Sequence, residues 1–398
     1  MRILEINKFF YLRRGAERHL LDVIDLLAKS GHEVEVFAMA HPENQPARFA
    51  SYFPQYVGYH RGDSPWQKLI GSGRLFWSFE ARKKMRALLK EWQPDIAHIH
   101  NMYHQLSPSI LGPLRERGIP IVMTVHDYNL ISPDKDTYYP EVGRHYFKFL
   151  AMRKYSLAKR LLLVLKMYWN QFFRFYERAI TAYIVPSTFV KNVFVAAGIA
   201  EERITVIPHF ISDMPAAASS SVPSPQKFPD TPFALYFGSL SREKNVDVLA
   251  EIFNRLEVPL VLAGTLESGL VLPESPFIRL IGQQSKAELA VWLARSACVV
   301  SASSLPETFG LIALEANAAG KPFFGLTVGA FPEVVLSGKT GLLAASVEEL
   351  EALLKRFFRG ELTFSSEGVA TSARERFGAE RYAQAIENLF THLLKNQK

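Results

Sequence analysis

Residues 306–317 read PETFGLIALEAN, with Glu307 and Glu315 eight positions apart in an otherwise apolar run. Pro306, Thr308 and Gly310 mark a tight turn leading into a helix over Leu311 to Ala318. A helix start leaves backbone N–H groups without intrahelical partners and presents the positive end of the dipole, a setting that suits a phosphate. On helical geometry the two carboxylates would lie about 12 Å apart along the axis. That interval matches a diphosphate with a hexose on one side and a ribose on the other. Carboxylates bind vicinal hydroxyls well because they accept two hydrogen bonds at once. The plainer reading makes Glu307 an N-terminal helix charge and Glu315 a surface carboxylate.

Other residues carry chemical potential of their own. Lys244, in GSLSREKNVDVL, follows a strand and its loop and precedes a helix, the place for an anion partner or for a solvated loop lysine. His126 ends the apolar run IPIVMTVHD, where a strand would deliver it to a ligand-binding edge or hold it as hydrogen-bonded scaffold. His98 and His100, in HIHN, read as strand-end scaffold, with His100 nearer that edge. Asp134-Lys135-Asp136 has the D-x-D form of a metal-binding pair, but it sits in a proline-flanked loop and is not assigned a metal. No other metal-ligand cluster is visible in the sequence. The single cysteine, Cys298, excludes an intramolecular disulfide and a cysteine-built zinc site, and reads as a buried core thiol.

The elements that would position these residues alternate. RILEIN is a buried strand, and GAERHLLDVIDLLAKSG a helix with Leu20, Val23, Ile24 and Leu27 on one face, closed near Gly31. Strands follow at 95–101, 119–127, 182–187 and 204–210. Residues 212–232, SDMPAAASSSVPSPQKFPDTP, have the composition of a linker. The alternation then restarts with FALYFGS, PLVLAG, FIRLIG, CVVSAS and KPFFGL, with helices from about 245 and 285. The tail is an amphipathic helix with Tyr382, Ile386, Leu389 and Leu393 on one face. This pattern predicts an α/β protein of two doubly wound, Rossmann-like domains facing across a cleft, with ligands at the carboxyl ends of the strands. The expected domains are residues 1–213 and 230–377, with the helix 378–398 packing back on the first.

Composition limits the function classes. Of 398 residues, 48% are hydrophobic and 21% charged, as in a soluble globular protein. The formal charge of +7 is uneven: residues 1–213 hold 29 Lys and Arg against 20 Asp and Glu, and the rest 17 against 19. A basic first half points to an anionic partner. Within it, residues 144–178 hold nine Lys and Arg against one acid, Glu177, interleaved with aromatics. That composition suits an interfacial helix on an anionic membrane, or helices packed on the first domain with solvated basic faces. No RNA-binding motif accompanies it, and nucleic acid is not expected as a partner. MRILEINKFF is too short and charged for a secretory signal, and no apolar stretch reaches the ~18 residues of a membrane span. The cytoplasm is the expected location, with peripheral attachment to the inner face of the membrane.

PETFGLIALEANAAGKP resembles the E-x7-E signature of retaining glycosyltransferases of family GT4, which have the GT-B fold. Further segments match in chain order: RRGAERHLLDVIDLLAKSGHEVEV, TVHDYNLISP, IVPSTFVKN, FGSLSREKNVDVL, VGAFPEVV and KTGLL. The resemblance implies a nucleotide-sugar donor, UDP- or GDP-linked, in the second domain and a lipid-linked or saccharide acceptor in the first. By this resemblance Glu307 binds the hydroxyls of the transferred sugar, Glu315 the ribose, and backbone amides at Phe309, Gly310 and Leu311 meet sugar and phosphate. Lys244 neutralises the diphosphate, His126 lies beside the donor sugar and the reacting centre, and backbone near Gly282 to Gln284 meets the base. Attack from the front face, with the leaving phosphate helping to deprotonate the acceptor, is implied, and so is independence of metal and cofactor.

The sequence also departs from the family. Ser239 stands where an Arg is usual, leaving Arg242, three residues on, as the nearby cation for the diphosphate. The Gly-Gly pair of the first loop is Arg14-Gly15, and that of the closing turn is Gly329-Ala330. These departures keep a non-catalytic sugar-nucleotide binding module of the same fold as the rival. A dinucleotide-dependent oxidoreductase is weaker, because YLRRGAERH lacks G-x-G-x-x-G.

Overall fold

The structure, a computed structural model, describes residues 1–13, 15–57, 73–103, 105–152, 154–211 and 231–396. The chain divides into two compact units, Met1–Ile207 with Glu380–Lys398, and Pro208–Ala379.

The first unit is built on six parallel strands: β1 (Arg2–Ile6), β2 (Glu33–Phe37), β3 (Ile96–Ile99), β4 (Ile121–Thr124), β5 (Ala182–Val185) and β6 (Ile204–Val206). Their order is β2-β1-β3-β4-β5-β6. Helical crossovers cover both faces of such a sheet, so its central strands read as continuous apolar runs. β3, β4 and β5 are indeed buried throughout. The helix Gly15–Lys29 buries Leu20, Val23 and Leu27 against the sheet, and Gly31 beyond it takes a φ of +83°. The helix Ala379–Lys395 buries Tyr382, Ala383, Ile386 and Phe390. Leu389 and Leu393, expected on that face, are half-buried, because the stripe advances in steps of four and reaches Phe390. Glu387 of this helix takes a hydrogen bond from His32 at 3.1 Å.

Between β4 and β5 lies the basic, aromatic segment. Its main helix, Leu157–Phe173, is capped by Ser156, whose hydroxyl accepts from Lys159 N at 3.4 Å, and ends at Arg174 with φ 53°. Leu163, Val164 and Met167 bury into a satellite core with Val142, Tyr146 and Phe149. The D-x-D loop is structural here: buried Asp134 accepts from Lys154 Nζ at 2.7 Å, Tyr139 OH at 3.1 Å and Tyr155 OH at 3.2 Å. Asp136 instead holds its neighbour Lys135 at 2.7 Å.

The second unit repeats the architecture with β7 (Ala234–Phe237), β8 (Leu260–Ala263), β9 (Ile278–Gly282), β10 (Cys298–Ser301), β11 (Phe323–Leu326) and β12 (Gly341–Ala344). β12 falls in KTGLL, where the sequence suggested a closing turn. The order is β12-β11-β10-β7-β8-β9, all parallel. Alternate residues of a strand serve opposite faces. Leu235, Val299 and Phe323 therefore enter one core, and Tyr236, Val300 and Phe324 the other. Cys298 is buried in the second of these, and burial pushes its thiol well up.

Candidate functional site

After β9 the chain returns to the other side of β7 and lays down β10. The loops leaving β7 and β10 therefore stand side by side at the carboxyl edge, the place where open α/β sheets hold ligands. Asn245, in the left-handed region at φ 51°, joins them: its amide donates to Ala302 O at 3.0 Å and to Ser304 Oγ at 3.3 Å. Lys244, the last residue of a short 3-10 turn, Arg242–Lys244, forms an ion pair with Glu307 from the other loop. Both side chains remain about a quarter exposed, at 25% and 23%, and so can be reached by a ligand. Ser303 Oγ also lies 3.5 Å from the same Glu307 oxygen.

The rest of the loop from β7 is partly spoken for. The Tyr236 hydroxyl donates to Ser239 O at 3.0 Å. Burial pushes the ionisation of Tyr236 up, with the charge of Glu307 adding to it, so the phenol stays a donor. Ser239 and Arg242 are exposed, and the backbone N–H of Arg242 donates to Glu267 at 3.1 Å.

The helix Leu311–Ala318 begins immediately beyond this pair. It starts from Gly310 at φ +91°, has no side-chain cap among the described residues, and carries no acid in its first turn. Its first N–H groups thus meet the condition for an anion site. Phe309 is buried against the rings of His209 at 5.1 Å and Phe377 at 5.6 Å, which leaves its backbone rather than its side chain for a ligand. Leu311 and Glu315 are half-buried, with Glu315 in the helix's second turn. Glu307 is not on that helix, because the left-handed step at Gly310 separates it from Leu311. The axial interval of about 12 Å, which requires both carboxylates on one helix, does not apply. Gly329 and Ala330 form the wall behind Glu307, with Ala330 N donating to Glu307 O at 2.9 Å. Gly282, at φ +72° on the end of β9, lies two strands from β7 and accepts from Gly264 N at 2.8 Å.

In the first unit the corresponding reversal falls between β1 and β3. Here a polar cluster occupies the end of the sheet. Glu5, fully buried in β1, pairs in register with His98 of β3. Its carboxylate takes His98 Nδ1 at 2.9 Å and His100 Nε2 at 3.0 Å. His98 Nε2 meets Thr124 Oγ1 at 2.7 Å, and His100 Nδ1 meets His126 Nε2 at 2.9 Å. Burial pushes Glu5 up, but the two histidines outweigh it and hold the carboxyl down at about 2. Burial, reinforced by His98, lowers His100 to about 4, so it is neutral near pH 7. An ionised carboxylate only accepts, so His100 Nε2 carries the proton and its Nδ1 must accept from His126. The buried acid thereby fixes the tautomer and ring plane of His126, which stacks on His100 at 5.1 Å and 20°. Glu5, His98 and His100 bring ligand-type atoms within 4.8 Å of one another, and hydrogen bonding accounts for the cluster. His19, buried on the helix Gly15–Lys29, sets its ring edge-on to His126 at 5.5 Å and meets Tyr382 OH at 3.2 Å. Gly15 is the exposed first residue of that helix, and Arg14 lies outside the described residues.

Sequence reasoning missed Glu5, Asn245 and Ser303. Glu5 had a signal, a lone acid in the apolar strand RILEI, whose partners lie 93 and 95 residues away. Asn245 and Ser303 had none beyond their loop positions.

Residues 13–213 match the family model described as Glycosyltransferase Family 4, and residues 220–380 that described as Glycosyl transferases group 1. A D-inositol 3-phosphate glycosyltransferase of Streptomyces avermitilis is 31% identical over 205 residues, which span 45% of this chain and 43% of that protein. A glycogen synthase of Mycobacterium tuberculosis is 25% identical over 359 residues, covering 83% of this chain and 78% of its own length. Among solved structures, sucrose-phosphate synthase from Thermosynechococcus elongatus superposes with a TM-score of 0.68 at 18% identity, over 99% of both chains. Anabaena HepE in complex with UDP-glucose gives 0.64 at 18% identity, over 98% of this chain and all of that one. The shared fold is the GT-B arrangement of two Rossmann-like domains.

Proposed function

The chain belongs to glycosyltransferase family 4, and from that premise we propose that it is a retaining hexosyltransferase. It moves a hexose from a UDP- or GDP-sugar to a lipid-linked or saccharide acceptor in the making of a surface glycan or glycolipid. The observation that carries this reading is the Lys244–Glu307 pair at the switch point of the second sheet, beside a helix start that carries no acid in its first turn. A sugar diphosphate presents vicinal hydroxyls and anionic charge a few ångströms apart, and this pair offers a carboxylate and a cation at that separation.

In the reaction the bond from the anomeric carbon to the diphosphate breaks as the acceptor oxygen bonds to the same face of that carbon. The acceptor proton passes to the departing diphosphate. Lys244, the helix start at Gly310 and Leu311, and the exposed Arg242 offset the charge that grows on the leaving group. Glu307 orients the hexose and Glu315 the ribose; Ser239 contributes its backbone, and Gly282 lies near the base. His126 stands beside the donor sugar and the reacting centre, Arg14 and Gly15 serve the phosphate and acceptor side, and neither metal nor cofactor is required. The Anabaena protein solved with UDP-glucose makes UDP the first nucleotide to test. The protein works on the inner face of an anionic membrane, to which the segment 144–178 attaches it; no described helix is long and apolar enough to cross one.

The test is Glu307→Ala and Lys244→Ala, read by transfer from UDP- and GDP-sugars and by nucleotide-induced melting shifts. Each variant is expected to lose about 100-fold or more in turnover, the usual effect of removing a group that stabilises developing charge. Wild-type turnover in Glu307→Ala would sink the enzymatic assignment and leave the binding module.

A further inference from the structure

The helix Leu157–Phe173 wears its apolar side outward. Leu157, Leu161, Leu165, Trp169, Phe172 and Phe173 are exposed, with Leu165 at 56% and Phe172 at 80%. At 100° per residue they occupy one sector, and the residues interleaved in it are Ala158, Leu162 and Tyr168. The stripe runs ~24 Å without a charge. A surface helix ordinarily shows the opposite arrangement. The inner side is correspondingly polar in part: Lys166 is buried and donates to Asn129 Oδ1, and burial lowers it to about 8 against the pull of Asp127. Asn129 and Asp127 belong to the loop that follows His126, so Lys166 ties this helix to the loop beside that histidine.

The stripe opens into a cavity of about 900 Å³ between its C-terminal end and residues 73–80. Six aromatic side chains dominate its lining, Phe76, Trp77, Phe79, Trp169, Phe173 and Phe175, with Ser78 and the paired Arg74 and Glu80 among the rest. Trp169 and Phe173 belong to both stripe and cavity, which makes the two surfaces continuous. The volume is that of a site for a small molecule, and the lining is suited to hydrocarbon. Charge decides among occupants. The segment 144–178 holds nine cations and one acid, so two copies of it repel, whereas anionic lipid headgroups complement it.

We propose that the aromatic cavity takes the hydrocarbon chain of a lipid-linked acceptor, drawn from the bilayer in which the leucine stripe lies. This rests on the membrane-bound transferase reading above and narrows its acceptor to the lipid-linked class. The chain enters past Trp169 and Phe173, and its head group is carried toward the loop that Lys166 ties to the helix.

Bromine-labelled lipid tests this directly. The full chain is mixed with phosphatidylcholine vesicles containing about one-third phosphatidylglycerol, with bromines on the acyl chains of the phosphatidylcholine; bromine quenches tryptophan on contact. Trp169 is quenched by any insertion of the stripe, whereas Trp77 lies within the cavity. Trp169→Phe is therefore compared with the double variant Trp77→Phe, Trp169→Phe, and the difference isolates Trp77; circular dichroism confirms that both fold. The expected result is co-sedimentation with the vesicles and loss of about half or more of the Trp77 emission, the scale set by contact with lipid rather than water. Co-sedimentation with the Trp77 emission unchanged overturns the cavity proposal and leaves the membrane reading intact. Failure to co-sediment at low salt overturns the membrane reading, and the cavity proposal with it.

Discussion

Glu5 organises the polar centre of the first unit, and its energetics follow from its burial. A buried carboxylate is tolerated only when its acceptor sites are filled, and here two histidines fill them. Its pKa falls from the ordinary 4.5 to about 2, and that of His100 from 6.5 to about 4. For both groups the unfolded chain binds protons more readily than the folded one. Stability therefore falls as pH drops, through 6.5 to 4 on account of His100 and through 4.5 to 2 on account of Glu5. Glu5→Gln keeps the shape and removes the charge. It is expected to cost about 2–3 kcal/mol at pH 7, the range for hydrogen bonds to an ionised group. Melting curves from pH 7 to pH 3 should show this deficit shrinking toward acid, as the wild type loses its own advantage. A deficit constant across that range would mean that the carboxylate charge is not what holds the cluster. Lys244 and Glu307 were legible in the sequence because each stands in a short local pattern, loop before helix. Glu5 was not, because its meaning lies in the register of β1 against β3, which no local window contains.

At the scale of elements, the site depends on how closely loops approach one another. Gly329 is the clearest case: at φ +57°, a Cβ placed there would stand 2.4 Å from both Glu307 N and Glu307 O. Gly329→Ala must therefore push the backbone of Glu307 as well as adopt a left-handed conformation that L side chains avoid. A loss of about 1–3 kcal/mol in stability is expected, together with a weaker nucleotide-induced melting shift, while the far-UV spectrum is retained. A full nucleotide shift in this variant would show that the position of Glu307 tolerates movement. The strands and the start of the helix at Leu311 were legible because apolar periodicity and turn residues are local signals, whereas the linker expected over 212–232 lies almost wholly outside the described residues. The orientation of the helix Leu157–Phe173 was not. Its run of leucines supplies both faces, and only the packing of Leu163, Val164 and Met167 against Tyr146 and Phe149 shows which leucines point outward. β12 escaped for a related reason, since four residues after a glycine turn give a strand no room to show alternation.

The charge of the whole molecule follows the division into units. The first unit holds 32 Lys and Arg against 21 Asp and Glu, and the second 14 against 18. A protein that meets an anionic surface through its first unit alone would be distributed in this way. In the membrane attachment proposed above, charge and apolar stripe would contribute differently, and salt separates them: the electrostatic part is screened over about 8–10 Å at physiological ionic strength, the apolar part is not. Lys148 and Lys159 are exposed cations within the segment 144–178, Lys159 at the first turn of the helix that carries the stripe. Each cation near an anionic bilayer contributes about 1 kcal/mol. Replacing both by Glu is thus expected to weaken partition into phosphatidylglycerol-containing vesicles by about 30-fold or more at low salt. The difference from wild type should narrow in 1 M salt, where the Debye length is about 3 Å. Loss of Leu161 and Leu165 to Ser should weaken partition by a similar factor at both salt concentrations, since burial of two leucines is worth about 3–6 kcal/mol at most and is not screened. If the charge variant partitions like wild type at low salt, the basic character of the first unit serves some contact other than the membrane, and the apolar stripe alone carries the attachment.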